Sequence, residues 1–191
     1  MTTTGCQKSS KVEASADASV QLVLTEDKSD SVMSEMALKL EREAVLERVR
    51  TIYTLVEHES TSLGGSMSEE LLDKVFCTKS WNQMMLAVRR KEYVTNTLFF
   101  EINHWTMTQE ESMVDFDEFE VVNCEVKSPK ERWATVEFTV YESNTYTPAR
   151  IELVYEDGQW KIDNFYQLKY MLNVRESMYR YLNDDIATYL I

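Results

Sequence analysis

The chain has 191 residues and carries 20 Lys and Arg against 33 Asp and Glu, which gives a formal net charge of −13. This negative balance argues against nucleic acid as a partner, because phosphate binding relies on a positive surface. It also argues against attachment to anionic lipid by charge. Hydrophobic residues make up 43% of the chain, as in a folded domain, and no apolar run is long enough to span a bilayer.

The three cysteines, Cys6, Cys77 and Cys124, are not spaced as metal ligands usually are, so we expect no metal site. We expect Cys77 and Cys124 to be buried free thiols, since cysteine is among the most buried residue types. The chain has neither a glycine-rich phosphate loop nor a G-x-S-x-G motif. We therefore expect no cofactor.

Residues 1–30 show neither a helical nor a strand period, apart from a short apolar patch around Val20 to Leu24. We predict that this segment is a flexible leader and that residues 31–191 form a single domain. Cys6 follows the small residues Thr3 to Gly5 and precedes a polar stretch, as at the end of a bacterial lipoprotein signal. The apolar segment that should precede such a box is missing. Two interpretations stay open: lipidation of Cys6, or a chance cysteine in a tether.

A long amphipathic helix is predicted from Ser31 or Ser34 to about His58. Charged residues crowd one side of it, and apolar residues recur on the other with the 3.6-residue period. The apolar residues are Val45, Val49, Ile52, Tyr53 and Val56. We expect this helix to cover a sheet.

Capping-box patterns predict two shorter helices, one beginning at Ser66 with Glu69 and one at Ser80 with Gln83. The apolar positions of the first are Leu71, Leu72, Val75 and Phe76. Those of the second are Trp81, Met84, Met85 and Val88. Such stripes are more typical of a core than of a cofactor motif. From Val94 to Phe100 we expect extended chain.

Strands are predicted next. The first runs from Phe119 to Lys127, with Val122, Cys124 and Val126 on one face, and the second runs from Trp133 to Glu142. In the second, every other residue is apolar: Ala134, Val136, Phe138 and Val140. Helices followed by sequential strands indicate an α+β fold whose antiparallel sheet has one buried face.

The strongest local signal is a β-hairpin over 149–165, closed by Asp157 and Gly158. A two-residue loop pairs Glu156 with Gln159, Tyr155 with Trp160 and Leu153 with Ile162, and places four large side chains on one face. A helix from Leu168 to Asn183 is expected to follow. The apolar end, Ile186 to Ile191, is expected to pack back or to contact a second subunit.

The helix order and the closing hairpin, Glu156 to Asp163, resemble the nuclear transport factor 2-like superfamily, which has a cystatin-like α+β cone. Within it, Phe99-Phe100 followed by the stretch 104–110, then 160–165 and a C-terminal helix, resemble the bacterial group catalogued as domain of unknown function 3828. The resemblance covers roughly 37–182. It implies N-terminal helices packed on a curved antiparallel sheet that often leaves a pocket.

The superfamily contains isomerases and dehydratases, which place Asp, His or Tyr in that pocket, and many non-catalytic modules, so the resemblance does not decide function. The candidate pocket residues here are His104, Trp105, Glu110, Asp163 and Tyr166, and Asp115 is a further acidic group. A lone histidine without a second group at a diagnostic spacing defines no catalytic set. The alternative is that His104 is half-exposed at a strand end, Trp105 is core, and Asp163 caps or forms a salt bridge at the sheet rim.

We therefore expect a non-catalytic binding or interaction module. An apolar small molecule or a protein would be its partner. Many proteins of the resembled group look like envelope lipoproteins, which favours an envelope location if a signal sequence precedes Met1, and a cytoplasmic one otherwise. Two alternatives stay open: a small-molecule isomerase or dehydratase using a pocket on the concave sheet face, and a structural homodimer.

Overall fold

A computed structural model describes residues 18–61, 68–99, 103–108, 114–128, 130–142 and 145–183; of residues 18–34, 60 and 61 it describes the backbone alone. The chain divides into two compact units, Met1–Ala37 and Leu38–Ile191. Within the described ranges, no helix combines the length and the apolar character that a bilayer crossing requires. The proposed leader and tether role of residues 1–30 stays a prediction.

The first helix, α1 (Ala18–Thr61), begins well before the predicted Ser31 or Ser34. Once a helix is nucleated, each added residue gains one hydrogen bond, and 18–30 contains no Pro or Gly to stop it. The predicted apolar side of α1 is confirmed, because all five of its residues are buried: Val45, Val49, Ile52, Tyr53 and Val56.

Two further helices follow, α2 (Glu69–Phe76) and α3 (Lys79–Thr95). Their caps differ from the predicted Ser66 and Ser80. Ser68 and Thr78 have extended backbone, and each side chain accepts a hydrogen bond from the N–H three residues on, which is the geometry of an N-cap. Helix α3 also continues through residues that we expected to be extended, up to Thr95, and ends where Asn96 turns left-handed with φ 53°.

The rest of the chain is mostly sheet. Five antiparallel strands lie in chain order: β1 (Val114–Val126), β2 (Arg132–Glu142), β3 (Thr145–Glu156), β4 (Gln159–Gln167) and β5 (Leu172–Asn173). Helix α4 (Val174–Asn183) follows. The fold is therefore α+β, with helices followed by an open five-stranded antiparallel sheet and a C-terminal helix.

The predicted hairpin is confirmed. Asp157 and Gly158 form its loop with φ of 52° and 82°, and Tyr155 pairs with Trp160 as expected. The ladder then shifts: Leu153 pairs with Ile162, but the residue before Leu153 pairs with Asn164. Asp163 is thus the extra residue of a β-bulge, which local alternation does not reveal.

The face predicted for β1 is wrong in part. Val121 and Cys124 are buried, whereas Val122 and Val126 are exposed. The ladder to β2 shifts between Val121 and Asn123, so Val122 is inserted and the alternation changes sides there. The alternation predicted for β2 is confirmed, with its four apolar residues buried.

The C-terminal helix begins later than the predicted Leu168. A short 3-10 turn and a left-handed Met171, with φ 50°, lead into β5. The side chain of Asn173 accepts a hydrogen bond from the N–H of Glu176 at 3.0 Å, and this starts α4 after the strand pairing ends. The expectation for Ile186 to Ile191 lies outside the described residues.

The core lies between the helices and one face of the sheet. Tyr53 of α1 contacts the rings of Phe116 on β1 and Phe138 on β2, with centroids 4.7 and 4.5 Å away. Trp81 of α3 contacts Phe165 of β4 at 4.9 Å. Large aromatic side chains thus carry the packing between the two layers.

Candidate functional site

Asp73 lies on the inner side of α2 and is only 2% exposed. Of the four apolar residues predicted to bury there, Leu72 and Phe76 do so, whereas Leu71 and Val75 are exposed. Helix α2 is therefore rotated from the predicted orientation, and its buried face includes a carboxylate. A buried carboxylate requires hydrogen-bond donors, because desolvation of an unpaired one is very costly.

Three donor groups converge on one oxygen of Asp73. His104 Nε2 lies 2.7 Å from Asp73 Oδ1, and Trp105 Nε1 donates to the same oxygen at 2.9 Å. The thiol of Cys77 donates to it at 3.8 Å. An indole N–H can only donate, so this oxygen is an acceptor. Asp73 thus connects α2 to the turn that carries His104 and Trp105.

That turn is held by its own hydrogen bonds. Residues Asn103 and Thr108 form a β-bridge, and the side chain of Asn103 accepts from the N–H of Trp105 at 2.8 Å and of Thr106 at 3.2 Å. Asparagine side chains often stabilise turns by accepting a hydrogen bond from the backbone N–H two residues further along the chain. The turn is also tied to β4, since Gln167 Nε2 donates to the carbonyl of residue 107 at 2.8 Å.

Aromatic rings enclose the Asp73 cluster. The ring of Phe165 lies 5.0 Å from the rings of both His104 and Trp105, and Trp81 lies 5.4 Å from His104. His104 is 1% exposed, so the expectation of a half-exposed histidine is wrong: the Asp73 carboxylate makes its burial tolerable. The expectation that Trp105 is core is confirmed.

The buried thiol beside this cluster is not activated. Burial raises the pKa of Cys77, and the nearby Asp73 carboxylate raises it further. Cys77 and Cys124 are both free and buried, as predicted. The described residues contain no group of three or more His, Cys, Asp or Glu side chains that could hold a metal ion.

Asp163 belongs to a second polar cluster, at the edge of β4. Its Oδ1 accepts from the hydroxyl of Thr78 at 2.5 Å and forms an ion pair with Arg175 at 2.8 Å. Thr78 is the N-cap of α3, and Arg175 lies in α4. The expected salt bridge at the sheet rim is confirmed, and it joins α3, β4 and α4.

Tyr166 lies on the other face of the sheet from the core. Its hydroxyl donates to Glu152 at 2.8 Å. Desolvation, followed by the Glu152 hydrogen bond and charge, raises the pKa of Tyr166 to about 12. Asp115 is exposed, and its carboxylate interacts with Glu57 of α1. The pKa of Glu57 is raised, first by the partial burial of Glu57 and then by the charge of Asp115 and the hydrogen bond to it.

The residues predicted to share one pocket therefore have separate partners. His104 and Trp105 meet Asp73, Asp163 meets Thr78 and Arg175, and Tyr166 meets Glu152. Glu110 and the lipidation candidate Cys6 lie outside the described residues. One open groove of about 510 Å³ is lined by α1 and includes none of the predicted residues; its lining is Glu43, Leu46, Glu47, Arg50, Thr51 and Thr54.

Asp73 was missed by the sequence reasoning because an acidic residue in a short helix usually faces solvent. The available signal is its position three residues before Phe76 and four before Cys77, which places it on the same helical face as both. Its partner His104 lies 31 residues away, and no local pattern joins the two.

Comparisons of the chain with models of known protein families, with curated proteins and with solved structures find no match. The arrangement itself must therefore indicate what the chain does.

We predict that Asp73→Ala lowers the free energy of unfolding by about 3 kcal/mol, because it leaves the buried donors of His104 and Trp105 without their acceptor. Urea unfolding followed by tryptophan fluorescence measures the change. Glu70→Ala is the matched control: Glu70 is on the same helix, exposed, and paired with Arg89 at the surface, so its loss should cost under about 1 kcal/mol. Equal losses for the two variants would contradict the role of Asp73.

Proposed function

We propose that this chain is a protein-interaction module that binds its partner through the face of the sheet opposite the core. This outer sheet face presents the alternate residues of four strands. From β2 come Trp133, Thr135, Glu137, Thr139 and Tyr141, and from β3 come Tyr146, Pro148, Arg150, Glu152 and Val154. From β4 comes Tyr166, while Lys161 and Asn164 of the same register are buried, and β1 adds acidic residues.

The observation that carries the proposal is the composition and exposure of this face. Its β2 residues are all partly accessible, although they alternate with residues of the same strand that are fully buried. Tyrosine, tryptophan and arginine are the residues that protein interfaces favour, and the outer sheet face has Trp133, Tyr146, Tyr166 and Arg150 on adjoining strands.

Cross-strand hydrogen bonds already order the middle of this face. Arg150 donates through Nε to Glu137 at 2.9 Å, and Tyr166 donates to Glu152 at 2.8 Å. Asn164 donates to the side chain of Asn173 at 3.0 Å. Side chains that are held before binding lose less conformational entropy when a partner docks. These contacts therefore favour a preformed recognition surface.

The structure gives less support to an isomerase or dehydratase. The best acid–base candidates for such an enzyme, His104 and Asp73, are only 1% and 2% exposed, and they are hydrogen-bonded to each other at 2.7 Å. A substrate would have to displace the aromatic rings around them. Their geometry is that of a packing contact between α2 and the 103–108 turn.

We also infer that the domain is a cone of the nuclear transport factor 2-like type, similar to the group catalogued as domain of unknown function 3828. Support comes from the order of the helices before the sheet, from the bulges in β1 and β4 that curve such sheets, and from the closing hairpin. An experimental structure in which the sheet does not wrap around α1 would contradict this assignment.

We further propose that Cys6 anchors the module to the cell envelope, so that residues 1–30 act as a tether. The support is the run of small residues before Cys6 and the polar run after it. Growth of the native host with an alkyne fatty acid should label the full chain, and Cys6→Ser should abolish the label. Equal labelling of both forms, or labelling of neither, would refute lipidation at Cys6.

The interaction surface is tested with a photo-crosslinking amino acid placed at Thr135, in the middle of the outer sheet face. We expect a discrete crosslinked product in the native host, because a bound partner must lie within a few ångströms of this position. The matched control is Gln83, an exposed residue of α3, which should give none. A product of twice the chain mass would identify a homodimer. The absence of any product at Thr135, or equal products at both positions, would refute the proposal.

A further inference from the structure

We propose that the outer sheet face docks a segment of a partner protein that is rich in lysine and arginine. This inference rests on the proposed function and adds the chemistry of the partner. It depends on three features of the described residues: an excess of carboxylates on this face, the use of its own cations in internal contacts, and a tyrosine pair beside the densest group of carboxylates.

Carboxylates outnumber cations on the outer sheet face. The register of the ladders places the following acidic residues there: Asp117, Glu120, Glu125, Glu137 and Glu152. Asp115 and Glu156 share this register, but their side chains bond Glu57 of α1 and the N–H of Lys79 in α3. The register also places Arg150 and the buried Lys161 there, and Lys127 lies over the ring of Trp133 on the same face. A surface of this charge attracts a positively charged segment and speeds its approach.

The cations of the face are engaged within the chain. Arg150 forms its ion pair with Glu137 across the β2–β3 ladder. Lys161 is buried and donates to the carbonyl of Val75 in α2, and Lys127 lies over the ring of Trp133. These contacts leave an excess of negative charge along β1.

The carboxylates of β1 also limit how a partner can bind. Glu118 has a positive φ of 57°, and the β1–β2 ladder shifts both beside it and at Val122. Charged side chains and bulges on an edge strand oppose the addition of another strand. We therefore place the partner across the face of the sheet and not along its β1 edge.

The aromatic residues of this region already bind cations from within the chain. Lys127 Nζ lies 4.4 Å from the ring centre of Trp133, and the Arg150 guanidinium carbon lies 5.9 Å from that of Tyr166. Cations are attracted to the negative face of an aromatic ring, by about 0.5–1 kcal/mol at exposed sites. The same attraction is available to a cation from outside.

Tyr141 and Tyr146 are the best place for such a cation. They lie opposite each other on β2 and β3, with ring centres 4.8 Å apart and planes at 80°. Asp115 pairs with Tyr141 across the β1–β2 ladder. Two residue pairs further along, on the same face, Asp117 faces Thr139, whose hydroxyl donates to Glu118 at 2.7 Å. A lysine or arginine side chain placed here would meet ring faces and carboxylates together.

A second copy of the chain fits this surface less well. The chain has a net charge of −13, and apposing two acidic faces would bring like charges together, which costs binding free energy. Anionic lipid is disfavoured for the same reason. A basic protein segment satisfies the carboxylates and the tyrosine pair at once.

The test measures binding of the full chain to a fluorescent peptide of alternating Lys, Gly and Arg residues. The control peptide has the same length and contains Glu in place of Lys and Arg. Fluorescence anisotropy measures binding at low and physiological salt. We expect the basic peptide alone to bind. Tyr141→Leu with Tyr146→Leu keeps the charge of the chain and should weaken binding about fivefold, which is the loss of one or two exposed cation–aromatic contacts.

A charge-matched pair of variants separates a specific face from general attraction to an acidic protein. Asp117→Asn with Glu120→Gln, at two exposed positions of β1, should weaken peptide binding about fivefold or more. Glu43→Gln with Glu47→Gln removes the same charge from exposed positions on α1 and should change it less than twofold. Circular dichroism and thermal melts confirm that each variant is folded.

Equal weakening by the α1 and β1 variants, an unchanged affinity in the tyrosine variant, or no binding of the basic peptide would overturn the inference. A crosslinked product of twice the chain mass at Thr135 would do the same, because it would assign the face to a second copy. A product at Thr135 from a partner whose contact segment is not basic would leave the proposed function standing and refute this inference alone.

Discussion

The convergence of His104, Trp105 and Cys77 on one oxygen of Asp73 is the contact on which the inner layer depends. It joins a short helix to a turn that has almost no regular structure of its own. Directly after α2, Cys77 bridges to Ile162 of β4, and the N–H of Thr78 donates to the Ile162 carbonyl at 2.9 Å. Helix α2 is thus held at its buried face and at its end.

This arrangement explains why an acidic residue lies in an aromatic interior. Replacing a whole buried polar cluster with packed apolar residues can leave stability unchanged, whereas removing one member leaves its partners unpaired. Here the carboxylate selects the orientation of two rings, His104 and Trp105, against Phe165. We infer that Asp73 serves to specify the packing of the turn more than to add net stability.

The two faces of the sheet differ in composition for a simple physical reason. The inner face buries apolar and aromatic side chains beneath the helices. The outer face keeps most of its charged and aromatic groups accessible, ordered by the Arg150–Glu137 and Tyr166–Glu152 contacts.

Local patterns in the sequence determined the inner side of α1, the alternation of β2 and the Asp157-Gly158 hairpin, since each depends on residues within a few positions of one another. They could not locate the bulges at Val122 and Asp163 or the cap at Thr78. A bulge depends on the neighbouring strand, and the Thr78 cap is held by β4 through Asp163.

The amino-acid sequence by itself determined the α+β class, the order of helices before strands and the register of the closing hairpin, because periodicity and turn chemistry act over short distances. Only the tertiary structure decided that Asp73 is buried, that it meets a histidine 31 residues away, and that Asp163 and Tyr166 have different partners. Those outcomes depend on which distant donors and acceptors the folded chain brings within hydrogen-bond reach.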